Sequence, residues 1–338
     1  MNAIEIRNLS KSFRGMYAVD HLNMTVPMGA MYIKGDDKMN AVEIRKLTKN
    51  FGHKKALKGL NMTVPVGTIY GFIGENGSGK STTEKVICGL IHSDSGSVKL
   101  YSREHTNADI RANVGVLIEA PGCFPGMSVW NNMMLQAANL GIKDAEKKVV
   151  KVLKTVRMEG AAGNKYKNCS LGMKQRIGIA MALLGNTTLL VLDEPINGLD
   201  ADSMRIMREV LCDLSENHGV TIVISSHILG ELEKIATHYG IIRNGKMLCE
   251  MTAEELNKSC RTYTALQTKK MNRTKDLLSS KYSRVEEDEA GYIRVYDATT
   301  PEEIVTYLYE NGMIVSELKT DKVSLEEYYI DLMKSEET

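Results

Sequence analysis

A glycine-rich loop in residues 74–82 combines residue types that bind phosphate. It reads GENGSGKST and lies between an apolar run typical of a buried strand, residues 68–74, and a segment with helical character. Glycines let backbone N–H groups turn toward an anion where a helix begins. In this spacing a lysine adds charge on the phosphates and the following serine hydroxyl is a Mg²⁺ ligand. The loop predicts a nucleotide-phosphate site made of Gly74, Glu75, Asn76, Gly77, Ser78, Gly79, Lys80, Ser81 and Thr82.

Two adjacent carboxylates follow a second apolar run. Residues 187–195 read TTLLVLDEP, which indicates a strand that ends at Asp193 and Glu194. Beside a phosphate loop, we expect Asp193 to hold Mg²⁺ and Glu194 to polarise the attacking water as a general base. Taken alone, such a pair is about as often a solvated strand end. Together with the loop, it predicts hydrolysis of the bound nucleotide.

The segment between these motifs resembles the signature sequence of ABC-type ATPases. Residues 168–185 place Ser170 and Gly172 just before an amphipathic helix, in the string SLGMKQR. From these residues alone, a helix N-cap at Ser170 with a basic first turn is a real alternative. The order of the surrounding motifs favours the signature sequence instead.

Three further positions extend this resemblance over roughly residues 40–250. The string NGLD, which ends at Asp200, resembles the family's D-loop, and His227 stands where the family has its switch histidine. Phe51 stands where an aromatic side chain stacks on adenine. A lone histidine after a strand is more often structural, but the motifs in family order favour the functional assignment.

Glu119 departs from the pattern of the wider family. It occupies the Q-loop position within residues 114–133, where a glutamine is expected. The string LIEAP, together with SLGMKQR, resembles the ATP-binding subunits of the bacitracin-resistance and lantibiotic self-immunity transporters. A carboxylate is a harder oxygen ligand than an amide, so the resemblance implies that Glu119 joins the metal site with Ser81 and Asp193. The alternative is a solvated loop residue.

The resemblance implies an α/β fold, a P-loop nucleotide-binding domain with a RecA-like core, an antiparallel β subdomain and a helical subdomain. It implies an ATPase that uses ATP and Mg²⁺ and energises an ABC transporter, with export of or immunity to a peptide antibiotic as the task. Glu194 and His227 are the expected catalytic residues. Each motif occurs once, so we expect a second ATPase subunit, with Ser170 and Gly172 of one copy reaching the γ-phosphate held by Lys80 of the other. An integral-membrane permease is the other expected partner.

Composition limits the remaining possibilities. Lys plus Arg number 43 against 42 Asp plus Glu, so there is no basic field and nucleic-acid binding is not expected. Six cysteines without CxxC spacing favour a reducing compartment, and no apolar run is long enough to cross a bilayer. We therefore expect a cytoplasmic protein held on the inner face of the membrane through the permease. A non-transport ABC-type regulator acting on ribosomes or DNA is the alternative function.

The chain appears to start twice. Residues 1–33, set against 39–71, give 18 identities, including LNMTVP in both copies. We predict that residues 1–38 are a non-functional partial duplicate of the ATPase domain's opening, with Met39 as a working start, because they stop before any phosphate loop. The alternative is an edge that swaps strands with residues 40–65.

The rest of the chain divides into two parts, the first of which contains a helical subdomain. Residues 39–250 are predicted to form the ATPase domain, and helical periodicity over about 128–165 indicates its helical subdomain. Residues 251–338 show the order β-α-β-β-α-β-α, which predicts a small α+β accessory domain that resembles ferredoxin-like units. No catalytic residues are expected in this last part.

Overall fold

The computed structural model describes residues 2–13, 16–27, 39–106, 108–259, 262–288, 290–296 and 300–335. The strands are β1 (Asn2–Phe13), β2 (Met16–Pro27), β3 (Asn40–Phe51), β4 (Lys54–Pro65), β5 (Ile69–Ile73), β6 (Ser95–Leu100), β7 (Arg103–Glu104), β8 (Val114–Leu117), β9 (Leu189–Asp193), β10 (Thr221–Ser226), β11 (His238–Arg243), β12 (Lys246–Thr252), β13 (Thr262–Thr268), β14 (Val285–Glu287), β15 (Ile293–Val295) and β16 (Val315–Lys322). The α-helices are α1 (Lys80–Ile87), α2 (Ala108–Arg111), α3 (Val129–Asn139), α4 (Ala145–Thr155), α5 (Leu171–Ala182), α6 (Ala201–Glu216), α7 (Leu229–Leu232), α8 (Ala253–Ser259), α9 (Met271–Lys281), α10 (Pro301–Glu310) and α11 (Leu325–Ser335).

A six-stranded sheet forms the centre of the ATPase domain, in the order β12–β11–β5–β10–β9–β8. The strands from β11 to β8 are parallel, and β12 pairs antiparallel at the edge. Alternate residues enter two cores, so that Leu190 and Leu192 face one while Leu189 and Val191 face the other. Burial on both faces explains why these strands read as continuous apolar runs.

This strand order brings the predicted motifs to one edge. The loop at 74–79 follows β5, the carboxylates end β9, and His227 follows β10, which lies between the other two strands. Since the carboxyl ends of parallel strands meet at the same edge of a sheet, ligands bind in the crevice outside them. The topology therefore places the loop, the carboxylates and the histidine together.

A second sheet and a helical layer complete this domain. The antiparallel sheet has the order β4–β3–β6–β7 and packs through one of the two cores against β5 and α1. Helices α3 and α4, within the predicted 128–165 segment, pack on α5. Ser128 caps α3, since its side chain accepts a hydrogen bond from the Asn131 N–H at 3.0 Å.

The N-terminal repeat forms a hairpin that copies β3 and β4. Its pairs Asn2↔Pro27 and Leu9↔Leu22 match Asn40↔Pro65 and Leu47↔Leu60, 38 residues later. Within the described part of the chain, β1 and β2 pair with each other and with no other strand. In this structure the hairpin adds nothing to the sheets of the ATPase domain.

The C-terminal elements follow the order indicated by the sequence. Strands β13 to β16 form an antiparallel sheet with the order β14–β15–β13–β16, and α9 and α10 cover one face through a core that includes Leu266, Leu278 and Leu308. Thr300 caps α10 with Pro301 in its first turn, which the sequence also indicated.

The boundary between the two units is less simple than a cut at residue 250. That position lies inside β12, a strand of the central sheet. Helix α8 buries Leu256, and α11 buries Leu325 and Met333, in the core of the ATPase domain. Within the described ranges, no helix combines the length and the apolarity that crossing a membrane requires.

Candidate nucleotide-binding site

The phosphate loop joins the buried end of β5 to the first turn of α1. Gly77 and Gly79 have positive φ angles of 81° and 119°, which glycine adopts at little cost. A Cβ on Gly79 would lie 2.9 Å from the Leu57 side chain and 3.1 Å from the Ala56 carbonyl oxygen. Space and backbone conformation thus both require glycine where the loop enters α1.

Lys80 is buried at the base of this loop. Its ammonium group donates hydrogen bonds to the carbonyl oxygens of Gly74, at 2.6 Å, and Glu75, at 3.2 Å. It also lies 4.0 Å from a carboxylate oxygen of Glu194. These contacts hold a positive charge next to the loop, where incoming phosphate oxygens would find it.

A cavity of about 260 Å³ opens above the loop and the carboxylates. Its lining includes the predicted adenine-side aromatic, the predicted metal ligands Ser81 and Asp193 and the predicted base, together with two residues that the sequence did not indicate, Lys54 and Ala56. The full lining is Phe51, Lys54, Ala56, Asn76, Gly77, Gly79, Lys80, Ser81, Thr82, Asp193 and Glu194. Lys54 stands three residues after Phe51, and this proximity to the predicted aromatic residue could have indicated that Lys54 also lines the cavity.

Hydrogen bonds from β10 orient the two carboxylates. The Ser225 hydroxyl donates to Asp193 Oδ1 at 2.8 Å, and the Glu194 N–H donates to the Ser225 carbonyl oxygen at 3.2 Å. His227 Nδ1 lies 2.8 Å from Glu194 Oε2. The structure thus brings His227 and Glu194 into direct contact.

The oxygen ligands of this edge fit Mg²⁺ bound together with ATP. Mg²⁺ usually takes one or two protein oxygens and completes its octahedron with phosphates and water, and Ser81 and Asp193 line the same cavity. Among the described residues, no three His, Cys, Asp or Glu side chains are grouped closely enough to hold a metal by themselves. Bound there, the ion would neutralise charge on the phosphates.

Glu119 lies elsewhere in this structure. Its side chain is largely exposed and pairs with the Lys85 ammonium group at 2.9 Å, and it is absent from the lining of the cavity. Its backbone has a positive φ of 66°, which is strained for a residue other than glycine. Any role at the metal therefore requires the loop to move.

The signature residues also lie outside this chain's own cavity. Ser170 caps α5 by accepting a hydrogen bond from the Met173 N–H at 3.2 Å. Asp200 caps α6 through the Ser203 N–H at 2.8 Å, and those bonds lower the pKa of Asp200. A Cβ on Gly172 would come within 2.6 Å of the Ser203 side chain. Glycine is thus needed where α5 approaches α6.

Glu84 is a buried carboxyl group beside the site that the sequence did not indicate. It lies on α1 one turn after Ser81 and is fully buried, near Ser225 and Asp193. Burial, and then the charge of Asp193, raises the pKa of Glu84 well above its ordinary value. Glu84 follows Ser81 by three residues on α1, which faces β9, and this spacing is the sequence feature that could have placed it near the site.

Replacing Glu84 with glutamine is expected to stabilise the fold increasingly as the pH rises. Above about pH 4.5 the unfolded chain releases this proton while the folded chain retains it, so stability falls by up to about 1.4 kcal/mol per pH unit. Glu84→Gln removes that loss. Urea unfolding at pH 5.0 and 7.5 measures the difference, with the exposed Glu104→Gln as control. If the free energy of unfolding of Glu84→Gln differed from that of the wild type by the same amount at both pH values, Glu84 would not be protonated in the folded chain.

These residues define an ATP-binding cassette, and comparison with known proteins agrees. The family model for ABC transporters matches residues 57–197. The chain is 35% identical to the bacitracin transport ATP-binding protein BcrA of Bacillus licheniformis, covering 98% of this chain and 97% of the relative. The chain belongs to the family of ABC transporter ATP-binding proteins.

Other relatives and solved structures support the same assignment. The lantibiotic transport ATP-binding protein SrtF of Streptococcus pyogenes is 39% identical, covering 73% of this chain and 90% of the relative. The ADP conformation of MJ1267, an ATP-binding cassette of an ABC transporter, matches with a TM-score of 0.59 at 26% identity, covering 64% of this chain and 92% of that structure. The predicted fold and the predicted ATPase activity are confirmed.

Hydrolysis of ATP requires a nucleotide held in place, an activated water and stabilised charge on the transferred phosphoryl group. In this chain the loop residues and Lys80 line the cavity. Glu194 lines it as well and contacts His227. The cassette therefore places a positive charge and a carboxylate at one cavity, with a histidine in contact with the carboxylate.

Proposed function

We propose that this ATPase subunit energises a transporter that exports, or confers immunity to, a peptide antibiotic of the bacitracin or lantibiotic type. The observation that carries this proposal is the similarity along nearly the whole chain to a bacitracin transport ATP-binding protein. A second bacitracin transport relative and a lantibiotic transport relative match over 78% and 73% of the chain. The alternative, a regulator of ribosomes or DNA, has no counterpart among these relatives.

A protection assay tests this assignment. The chain would be expressed with a candidate permease in a susceptible bacterium, and growth would be measured against bacitracin and against a lantibiotic. We expect the tolerated concentration of one of them to rise, and to return to the baseline with Glu194→Gln. Unchanged sensitivity to both antibiotics, with a permease shown to assemble with the chain, would contradict the proposal.

Within the site, we propose that Glu194 is the general base, that His227 holds the γ-phosphate and the attacking water, and that Ser81 and Asp193 hold Mg²⁺. Phe51 would stack on adenine, since it is half exposed at the mouth of the cavity beside Lys49. The contact between His227 and Glu194 supports the first two roles.

A second ATPase subunit belongs to this proposal. Ser170, Gly172 and Asp200 do not line the chain's own cavity, although the resemblance gives each a role at the nucleotide. Contact with the nucleotide of a neighbouring copy would reconcile the two observations, because Ser170 and Asp200 stand at the exposed starts of α5 and α6. A permease would hold the pair at the inner face of the membrane.

Glu119 is proposed to swing from Lys85 to the metal when ATP binds. Glu119→Ala is then expected to lower turnover by about tenfold or more while changing ATP affinity much less. Glu119→Gln should be milder. Lys85→Gln is the matched control, because it breaks the same ion pair and leaves the carboxylate. Equal losses of turnover in Lys85→Gln and Glu119→Ala would assign the effect to the ion pair and remove Glu119 from the metal site.

Residues 1–38 are proposed to be dispensable for folding and ATPase activity. The hairpin they form pairs only with itself among the described strands, and every nucleotide-site motif follows Met39. The 300-residue form that starts at Met39 (338 − 38) should therefore match the full chain in thermal stability and turnover. A drop in either quantity would favour the strand-swapping alternative.

The C-terminal residues 251–338 are proposed to be an accessory domain of ferredoxin-like type. Support comes from the strand order β14–β15–β13–β16, with α9 and α10 on one face of the sheet. Its last helix, α11, extends into the ATPase core.

A further inference from the structure

Helix α11 is attached to the ATPase domain along one side. Leu325 and Met333 are buried in the core of that domain, and α11 packs against α7. Helix α7 begins two residues after His227, the histidine that contacts Glu194. Helix α11 therefore packs against the segment that follows the proposed switch histidine.

Both ends of α11 are tied to segments that adjoin the nucleotide site. At its start, the Leu325 N–H donates to Glu233 Oε2 at 3.4 Å, and Glu233 directly follows α7. At its end, Arg243 donates to the Met333 carbonyl oxygen at 3.0 Å. These contacts place a negative charge at the helix N-terminus and a positive charge near its C-terminus, as the helix dipole favours.

Arg243 connects α11 to the phosphate loop. It is the last residue of β11, and two residues later the Gly245 N–H donates to the Ser78 carbonyl oxygen at 2.8 Å. Tyr329 of α11 is close enough to Glu75 that the charge of this loop residue helps to raise the pKa of its phenol, after burial itself. Helix α11 thus extends from the segment after His227 to the end of β11, beside the Gly245–Ser78 hydrogen bond of the phosphate loop.

The opposite side of α11 is held by two arginines of the C-terminal sheet. Arg294 on β15 pairs with Glu327 at 2.5 Å, and Arg284, just before β14, pairs with Asp331 at 2.9 Å. The guanidinium groups stack on the rings of Tyr263 and Tyr296, at 4.6 and 4.3 Å. Stacking on the tyrosine rings and ion pairing with the carboxylates fix both guanidinium groups. A displacement of the sheet would therefore displace α11 as well.

We propose that Arg284 and Arg294 are positioning residues for ATP hydrolysis, which act through α11 on the segment after His227 and so make turnover depend on the C-terminal sheet. The proposal rests on the assignment of Glu194 and His227 to the site. A change at the sheet would reach the site through one packed helix, whose ends contact Glu233 after α7 and Arg243 two residues before Gly245, and this is a contiguous physical route.

Removal of both arginine contacts tests this coupling. The double variant Arg284→Gln, Arg294→Gln is expected to lower kcat by about tenfold and to change the Kd for ATP by less than about twofold. Hydrogen exchange should accelerate in residues 228–236. The control Lys275→Gln, Lys281→Gln removes two ion pairs of the same domain, with Glu287 and Glu303, and should match the wild type in all three measurements.

Charge reversal keeps the test decisive if the double variant does not fold. Arg284→Glu alone should lower kcat, and Arg284→Glu with Asp331→Arg should restore it. A kcat equal to that of the wild type in the double variant, or no restoration by the paired reversal, would overturn the coupling. Glu194→Gln distinguishes a failure of the site assignment from a failure of the coupling. If Glu194→Gln retains turnover, the site assignment is wrong. If Glu194→Gln loses turnover while the arginine variants keep it, only the coupling is wrong.

Discussion

Glu194→Gln is expected to abolish ATP turnover and to leave ATP binding intact. The substitution removes the proposed general base, a group that contributes about a thousandfold to such reactions, but it keeps the shape of the side chain and the phosphate loop. Phosphate release and ATP affinity measure the two effects, and the nucleotide should remain bound as ATP rather than ADP.

The control for this substitution is Glu216→Gln at the exposed end of α6. Its turnover should match that of the wild type. Turnover above about a tenth of the wild-type value in Glu194→Gln would remove Glu194 from its role as the base.

Lys80→Ala is expected to weaken ATP binding on the order of a hundredfold, because it removes a buried positive charge from the phosphate position. The fold should survive, since the loop amides and the glycines remain. Titration with a fluorescent ATP analogue measures the affinity, and thermal denaturation without nucleotide checks the fold.

Lys55→Ala, an exposed lysine on β4, serves as the control for lost charge alone. If Lys80→Ala and Lys55→Ala bound ATP with equal affinity, the nucleotide would lie outside this cavity.

The sequence predicted most of the residues that line the cavity because the motifs are local. The strand, the loop and the helix at 68–87 are consecutive, so spacing alone indicates their arrangement. Asp193 and Glu194 join them because parallel strands end at one edge. Phe51 is indicated by the family pattern, and it lines the cavity.

The features that the sequence did not reveal depend on contacts between distant segments. The burial of Glu84 depends on the packing of α1 against β9, and a charged residue in a helix is normally expected to be exposed. Leu325 and Met333 were counted with the C-terminal domain, yet they pack in the ATPase core. The contact of Glu119 with Lys85 on α1 joins two segments 34 residues apart, which no local pattern encodes.

This chain is proposed to hydrolyse Mg-ATP at the cavity between the phosphate loop and Glu194. Phosphate release from ATP by the purified chain, measured over a range of protein concentrations, tests this site. We expect release that requires Mg²⁺ and disappears in Glu194→Gln, and that increases faster than in proportion to protein concentration if two copies of the chain form each site as proposed. Release that persists in that variant, or none from the folded wild type at any concentration, would contradict this proposal.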